Sequence, residues 1–308
     1  MRKIFVLVCM LVSIAVPCYA ASVVTTIFPI YDWVREISAG VLNSSDITLL
    51  LDNGVDLHSY QPSVDDMVKI SKADVFIYVG GESNEWVDDA LKNVVNKNQV
   101  VINLLDVLGD KVKHEEIVEG MEHDHDHEEE EADEHVWLSL RNAEIICRKI
   151  CEVLAAKDPE HSEIYMSNTE NYIRELSELD SLYEASIDKS VRKVLLFADR
   201  FPFRYMIDDY GLKYYAAFSG CSAESEASFE TVIFLADKVN ELGLPYVIMI
   251  DGTRHKIPET IIANTKAKNQ RILTLDSMQS ATMRDIQNGT TYLSVMRANL
   301  DTLNKALN

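Results

Sequence analysis

Histidine is the side chain whose placement in this chain most invites chemistry. His123, His125 and His127 alternate with aspartates in the run Glu122–His135, EHDHDHEEEEADEH. Neutral imidazole nitrogen and carboxylate oxygen are the donors that suit divalent zinc, nickel, copper or manganese. A purely acidic run reads as a solvated segment. Histidine interleaved with it points instead to metal contact, because Asp and Glu alone would already keep a loop soluble. His135 differs from the other three: there the polar run stops and an amphipathic pattern, VWLSLRNAEIICRKICEVL, begins. A helix at that point would fix its backbone. The expectation is one ordered histidine beside a capture segment in which His123, His125 and His127 bind weakly, since ordering a flexible segment costs entropy.

Further candidates follow the ends of strand-like segments, where ligands of open α/β sheets bind. His58 lies in the loop after DITLLLD, Asp199-Arg200 follow KVLLFA, and Asp251–His255 follow YVIMI. The elements that must position them alternate. SVVTTIFPI, DITLLLD, ADVFIYVGG and QVVINLLD read as strands separated by helical segments, which implies parallel βαβ units. KVLLFAD, LKYYAAF, YVIMID and RILTLD repeat the alternation later in the chain. Between the two sets, Glu160–Lys189 carries an uninterrupted helical pattern of about 45 Å at 1.5 Å per residue. Asp158-Pro159 is its start signal. The expected fold class is α/β: two lobes, each a mostly parallel sheet flanked by helices, joined by one long rigid helix, with a metal site in the cleft. The expected divisions are a signal peptide at 1–20, an N-terminal lobe at 21–155 with an acidic His-rich loop at 114–134, a linker helix at 156–190 and a C-terminal lobe at 191–308.

Composition narrows the partners. The 308 residues carry a formal net charge of −21, which disfavours nucleic acid and anionic membrane surfaces and suits a cationic ligand. Arg2 and Lys3, the apolar Ile4–Val16 and Cys18-Tyr19-Ala20 read as an export signal cleaved after Ala20, with lipid attachment at Cys18 the alternative. Of five cysteines, Cys147, Cys151 and Cys221 follow the leader. Cys147 and Cys151 share an apolar helix face and read as buried thiols, though either could bridge to Cys221 in an exported protein.

Two segments then become specific. His58-Ser59-Tyr60-Gln61-Pro62 resembles the H-x-Y-x-P segment of the metal-binding receptors that serve bacterial zinc and manganese ABC importers. Glu134-His135-Val136-Trp137-Leu138-Ser139 is similar to the D-P-H-x-W-L-S segment of the same family, and TYLSVMRANLDTL to its last helix. The resemblance spans nearly the whole chain after the leader. It implies a two-lobed receptor with a rigid linker helix that holds a dication in the cleft and passes it to a membrane permease. Zinc members commonly carry an acidic, His-rich loop where this chain has Glu122–Glu134. One departure matters. The family's third ligand, His or Glu, opens a segment H-x-A-F-x-Y, matched here by Arg200-Phe201-Pro202-Phe203-Arg204-Tyr205. A guanidinium has no lone pair to give a metal. The expected ligands of Zn2+ are therefore His58, His135 and His255, with Asp199 or a water as fourth and Glu224 and Glu226 in reserve. Arg200 is free to pair with a carboxylate and brace the cleft.

The function expected is an extracytoplasmic, monomeric zinc receptor, periplasmic or lipid-anchored at Cys18, that delivers Zn2+ to an ABC permease without enzymatic activity. A manganese or iron receptor of the same family and a metal-dependent surface adhesin are the alternatives. A zinc hydrolase would need a general base, and the chain has neither an H-E-x-x-H helix nor a nucleophile elbow.

Overall fold

The computed structural model describes residues 21–121, 131–220, 227–253 and 256–308. The expected leader, His123, His125, His127, Cys221, Glu224, Glu226 and His255 lie outside the described residues.

In the first lobe β1 (Val23–Thr25), α1 (Phe28–Ile37), β2 (Ile47–Leu49), α2 (Val64–Lys72), β3 (Val75–Tyr78), α3 (Trp86–Leu91), β4 (Val100–Asn103) and α4 (Leu104–Leu108) follow one another. Their strands form one parallel sheet in the order β2-β1-β3-β4. The run SVVTTIFPI is not a single strand: β1 stops at Thr25, and Phe28 and Pro29 open α1. Proline suits a first helical turn, where its missing N–H is not needed. A short apolar run reads alike as buried strand or buried helix, and α1 is buried along most of its length.

After α5 (Leu140–Lys157) comes α6 (Ser162–Lys189), the expected linker, entered through a single 3-10 turn at Pro159–His161. Its buried face is Tyr165, Thr169, Tyr172, Ile173, Leu176, Leu179, Tyr183 and Ile187, the helical spacing that lays one stripe against a neighbour. The second lobe holds β5 (Val194–Phe201), α7 (Arg204–Asp209), β6 (Lys213–Ser219), α8 (Phe229–Leu242), β7 (Tyr246–Ile250), α9 (Lys256–Asn264), β8 (Arg271–Leu275), α10 (Met283–Gln287) and α11 (Tyr292–Leu307). Its strands are again all parallel, in the order β6-β5-β7-β8. The fold is thus two parallel four-stranded sheets flanked by helices and linked by one long helix.

The lobes are not separately cored. One continuous apolar cluster takes in α1, α5, α6 and α11 with strand residues of both sheets, and a smaller one lies under α8. The last helix returns to the first: the Tyr292 amide donates to Asp32 Oδ2 at 2.7 Å, and its ring meets Trp33 edge-on. Trp137, just before α5, donates from Nε1 to the carbonyl of Ser277 at 2.9 Å. Beside it the loop after β2 and the loop after β8 are stitched together. Asn53 and Thr282 form an antiparallel bridge, and the Met283 amide donates to the Asp52 carbonyl at 3.0 Å. Gly54 permits this approach: at φ +68° and with no side chain, it leaves the Ser280 carbonyl where a Cβ would stand 2.8 Å from it. Cys147 and Cys151 are buried thiols on α5.

Candidate metal centre

Each of the two motif histidines is held by an aspartate two residues before it. Asp56 caps the short turn Leu57–Ser59 after β2, its Oδ1 accepting from the His58 amide at 3.0 Å. Asp133 Oδ1 accepts from both the backbone N–H and ring Nδ1 of His135, each at 2.9 Å. His135 is fully buried. Its ring lies on Gly220, where an added Cβ would come within 2.9 Å of Cε1, and tilts against Trp137 at 5.3 Å between centroids.

These supports aim the rings at each other. His58 Nε2 and His135 Nε2 lie 3.2 Å apart, though the residues are 77 positions distant in sequence. Tetrahedral zinc with Zn–N bonds of 2.0–2.1 Å separates two nitrogen ligands by about 3.3–3.4 Å. The pair therefore has the span of one edge of such a polyhedron. The opposite nitrogens face acceptors. His135 Nδ1 meets Asp133, and His58 Nδ1 meets Ser83 Oγ at 2.7 Å with Glu134 Oε2 at 3.8 Å. An acceptor behind Nδ1 places the proton there and leaves the Nε2 lone pair for a cation. Glu134 Oε1 accepts from the Ser83 amide at 2.9 Å, while Oε2 is buried without a hydrogen bond. Burial raises the Glu134 carboxyl above its ordinary pKa.

The two rings differ in proton affinity. Burial, and then the neighbouring His135, push His58 down to about 3. Burial opposes the charge on His135 too, but the Asp133 carboxylate outweighs it and holds that imidazole above its ordinary value. One proton between two facing nitrogens is the arrangement a dication would displace.

The second lobe brings other chemistry. Arg200, on β5, donates to Asp56 Oδ2 at 2.6 Å across the cleft, and that guanidinium, with His58, outweighs burial and holds Asp56 below the usual carboxylate range. Asp199 points into its own lobe. Its oxygens accept from the Arg200 amide at 2.9 Å, Thr253 Oγ1 at 2.6 Å and the Ile250 amide at 3.4 Å. The expected fourth ligand is Asp199 or a water; here both Asp199 oxygens are engaged within their own lobe. Among the described residues no three His, Cys, Asp or Glu side chains converge as a metal group. Asp251 accepts from Ser277 and Ser280, and Asp276 from the Met278 amide at 2.7 Å. Between them these carboxylates shape the loop after β8. There Met278 takes the left-handed conformation at φ +64°. The next residue, Gln279, reaches the cleft: with its amide nitrogen 2.9 Å from both oxygens of Asp56, its carbonyl oxygen lies 2.9 Å from His135 Nε2. The opposite amide orientation would set that carbonyl against a carboxylate.

The structure thus joins His58 to His135 as the sequence suggests, and turns Asp199 away. His255 and the reserves Glu224 and Glu226 fall outside the described residues. Asp56, Ser83, Asp133 and Gln279 are supports that the sequence reading did not single out. The Asp-x-His spacing at 56–58 and 133–135 is the signal that could have found two of them.

A family model described as "ZnuA: Zinc-uptake complex component A periplasmic" matches residues 23–306. The "Zinc-binding protein AdcA" of Streptococcus pyogenes serotype M3 is 29% identical over 290 residues, covering 91% of this chain and 55% of the relative. The chain thus spans about half the length of the first curated relatives it matches. The "High-affinity zinc uptake system protein ZnuA" of Bacillus subtilis is 29% identical over 285 residues, covering 92% of this chain and 87% of the relative. The crystal structure of the Zn(II)-bound ZnuA-like domain of Streptococcus pneumoniae AdcA superposes with a TM-score of 0.74 at 26% identity, covering 94% of this chain and 99% of that one.

Proposed function

The chain belongs to the ZnuA family of zinc-uptake components, and from that premise we propose that it is an extracytoplasmic receptor that captures Zn2+ and delivers it to an ABC-type permease. The observation that carries this reading is the convergence of His58 Nε2 and His135 Nε2 at 3.2 Å, each ring backed by an acceptor at Nδ1. Imidazole nitrogen suits zinc better than manganese, which prefers carboxylate and carbonyl oxygen. The family is one of binding and transport components, and we read this member as a carrier with no catalytic step.

His58 and His135 would supply nitrogen donors, with Asp133, Ser83 and Glu134 setting their tautomers. Binding exchanges the proton shared by the pair for a dication, so loading releases protons. His123, His125 and His127 would act as weak capture ligands that raise the local cation concentration. His255 is kept as a further candidate ligand. Among the described residues no helix is long and apolar enough to cross a membrane.

Isothermal titration with Zn2+ tests the proposal. The expected result is one tight site in the full chain that His58→Ala removes. Zinc bound as tightly by that variant as by the parent chain would sink the assignment.

A further inference from the structure

Building on the zinc-receptor reading, we propose that the side-chain carbonyl of Gln279 is an inner ligand of the captured metal ion, held in place by an Arg200–Asp56–Gln279 relay. Arg200 cannot donate to a metal, yet it contributes to the cleft by other means. It pairs with Asp56 at 2.6 Å. That carboxylate in turn receives the Gln279 amide, 2.9 Å from each of its oxygens. An amide with its nitrogen so engaged presents its oxygen on the other side, 2.9 Å from His135 Nε2. In this structure that oxygen accepts from His135 Nε2 at hydrogen-bond distance, a few tenths of an ångström short of the ~3.3–3.4 Å edge of a tetrahedral zinc site. The two imidazole nitrogens, 3.2 Å apart, already have nearly that span, so a cation replacing the proton on His135 would meet the amide oxygen after a small outward shift.

The loop that carries Gln279 is shaped for the task. Left-handed backbone at a residue other than glycine is uncommon and persists only where its surroundings hold it. At Met278 the hold is visible: Asp276 takes its amide at 2.7 Å, and Asp251 takes the hydroxyls of Ser277 and Ser280 on either side. The stitch from Asn53 to Thr282 then fixes this loop to the one that carries His58. Asp56 serves both lobes at once, capping the His58 turn with Oδ1 and accepting from Arg200 with Oδ2. A neutral oxygen donor also suits the charge in the cleft. The Asp56 carboxylate is already matched by Arg200, so two imidazoles and an amide leave the dication its full charge toward the carboxylates behind the rings.

The test uses the full chain with Gln279→Leu, which keeps bulk without oxygen, and Gln279→Glu, which keeps an oxygen donor. Zinc affinity is read by chelator competition, and the visible absorption of bound Co2+ reports the donor set. Gln279→Leu should weaken zinc by at least about tenfold, the lower end of what partners around a metal site contribute, and should alter the Co2+ bands. Gln279→Glu should restore zinc affinity, and its thermal midpoint without metal should fall because a second carboxylate then faces Asp56. Parent-like affinity and Co2+ bands in Gln279→Leu would overturn the proposal, as would equal weakening in both variants, which would make the amide a brace and not a ligand. Should His135→Ala bind zinc as well as the parent chain, the receptor reading itself fails, an outcome separable from failure at Gln279 alone.

Discussion

The two walls of the cleft are built on the same principle and used differently. In the first lobe Asp56 and Asp133 each lie beside a histidine and position it, so carboxylate charge there is spent on aiming nitrogen lone pairs into the cleft. In the second lobe Asp199, Asp251 and Asp276 turn inward to their own backbone and hydroxyls. Arg200 and Gln279 reach across to Asp56 and the histidines. Acidic residues near a cleft are therefore no guide to metal ligation until their partners are known, because a carboxylate already engaged by backbone N–H groups loses that support if it turns to an ion.

The contrast can be broken most directly at His135. His135→Ala should cost roughly a hundredfold or more in zinc affinity, beyond the 10–100-fold typical of outer partners, whereas Asp199→Asn should leave it within about twofold; competition titration of both variants checks the pair. Asp133→Asn comes next. It keeps the shape but weakens the acceptor behind Nδ1, so affinity should fall by about 10–100-fold, and the raised proton affinity of His135 should drop when followed by NMR. The pH profile sharpens the asymmetry between the two rings. Because Asp133 holds His135 above its ordinary value, zinc affinity should begin to decline on acidification while the pH is still above about 6.5, and then fall about tenfold for each further pH unit lowered, measured by chelator competition. His58 has the opposite sign. With its folded pKa near 3, the unfolded chain alone takes up that proton between about 6.5 and 3, so stability without metal should decrease as pH falls through that window. His58→Gln should remove this part of the slope in denaturant titrations. The smallest effect is expected at Arg200. Arg200→Ala leaves Asp56 half-buried without its guanidinium and should cost about 1–3 kcal/mol in stability, read from the chemical denaturation midpoint.

Much of this was legible in the sequence. Alternation of strand and helix patterns announced both lobes, and the apolar spacing within Ser162–Lys189 announced the linker. His58 and His135 stood out because imidazole near a strand end has few structural reasons to be there. Arg200 was legible as a residue that cannot ligate, but its partner Asp56 lies 144 positions away, and no local pattern encodes that distance. Gln279 carried no signal at all. An amide in the polar stretch DSMQSAT resembles any loop residue, and what distinguishes it is the left-handed turn at Met278 and the carboxylates that hold it. The early end of β1 escaped for a simpler reason: hydrophobicity reports burial, and Phe28–Ile37 is buried as thoroughly as a central strand.

The stitch between Asn53 and Thr282 bears on how fast a carrier can unload. His58 and Gln279 sit on the two loops it joins, so, on the ligand role proposed for Gln279, parting these loops would separate the two donors. Residence time would then depend on the opening of a short backbone ladder, while equilibrium affinity would be set by the donors themselves. A docking protein that pried the ladder apart would speed dissociation and leave the strength of each metal bond unchanged.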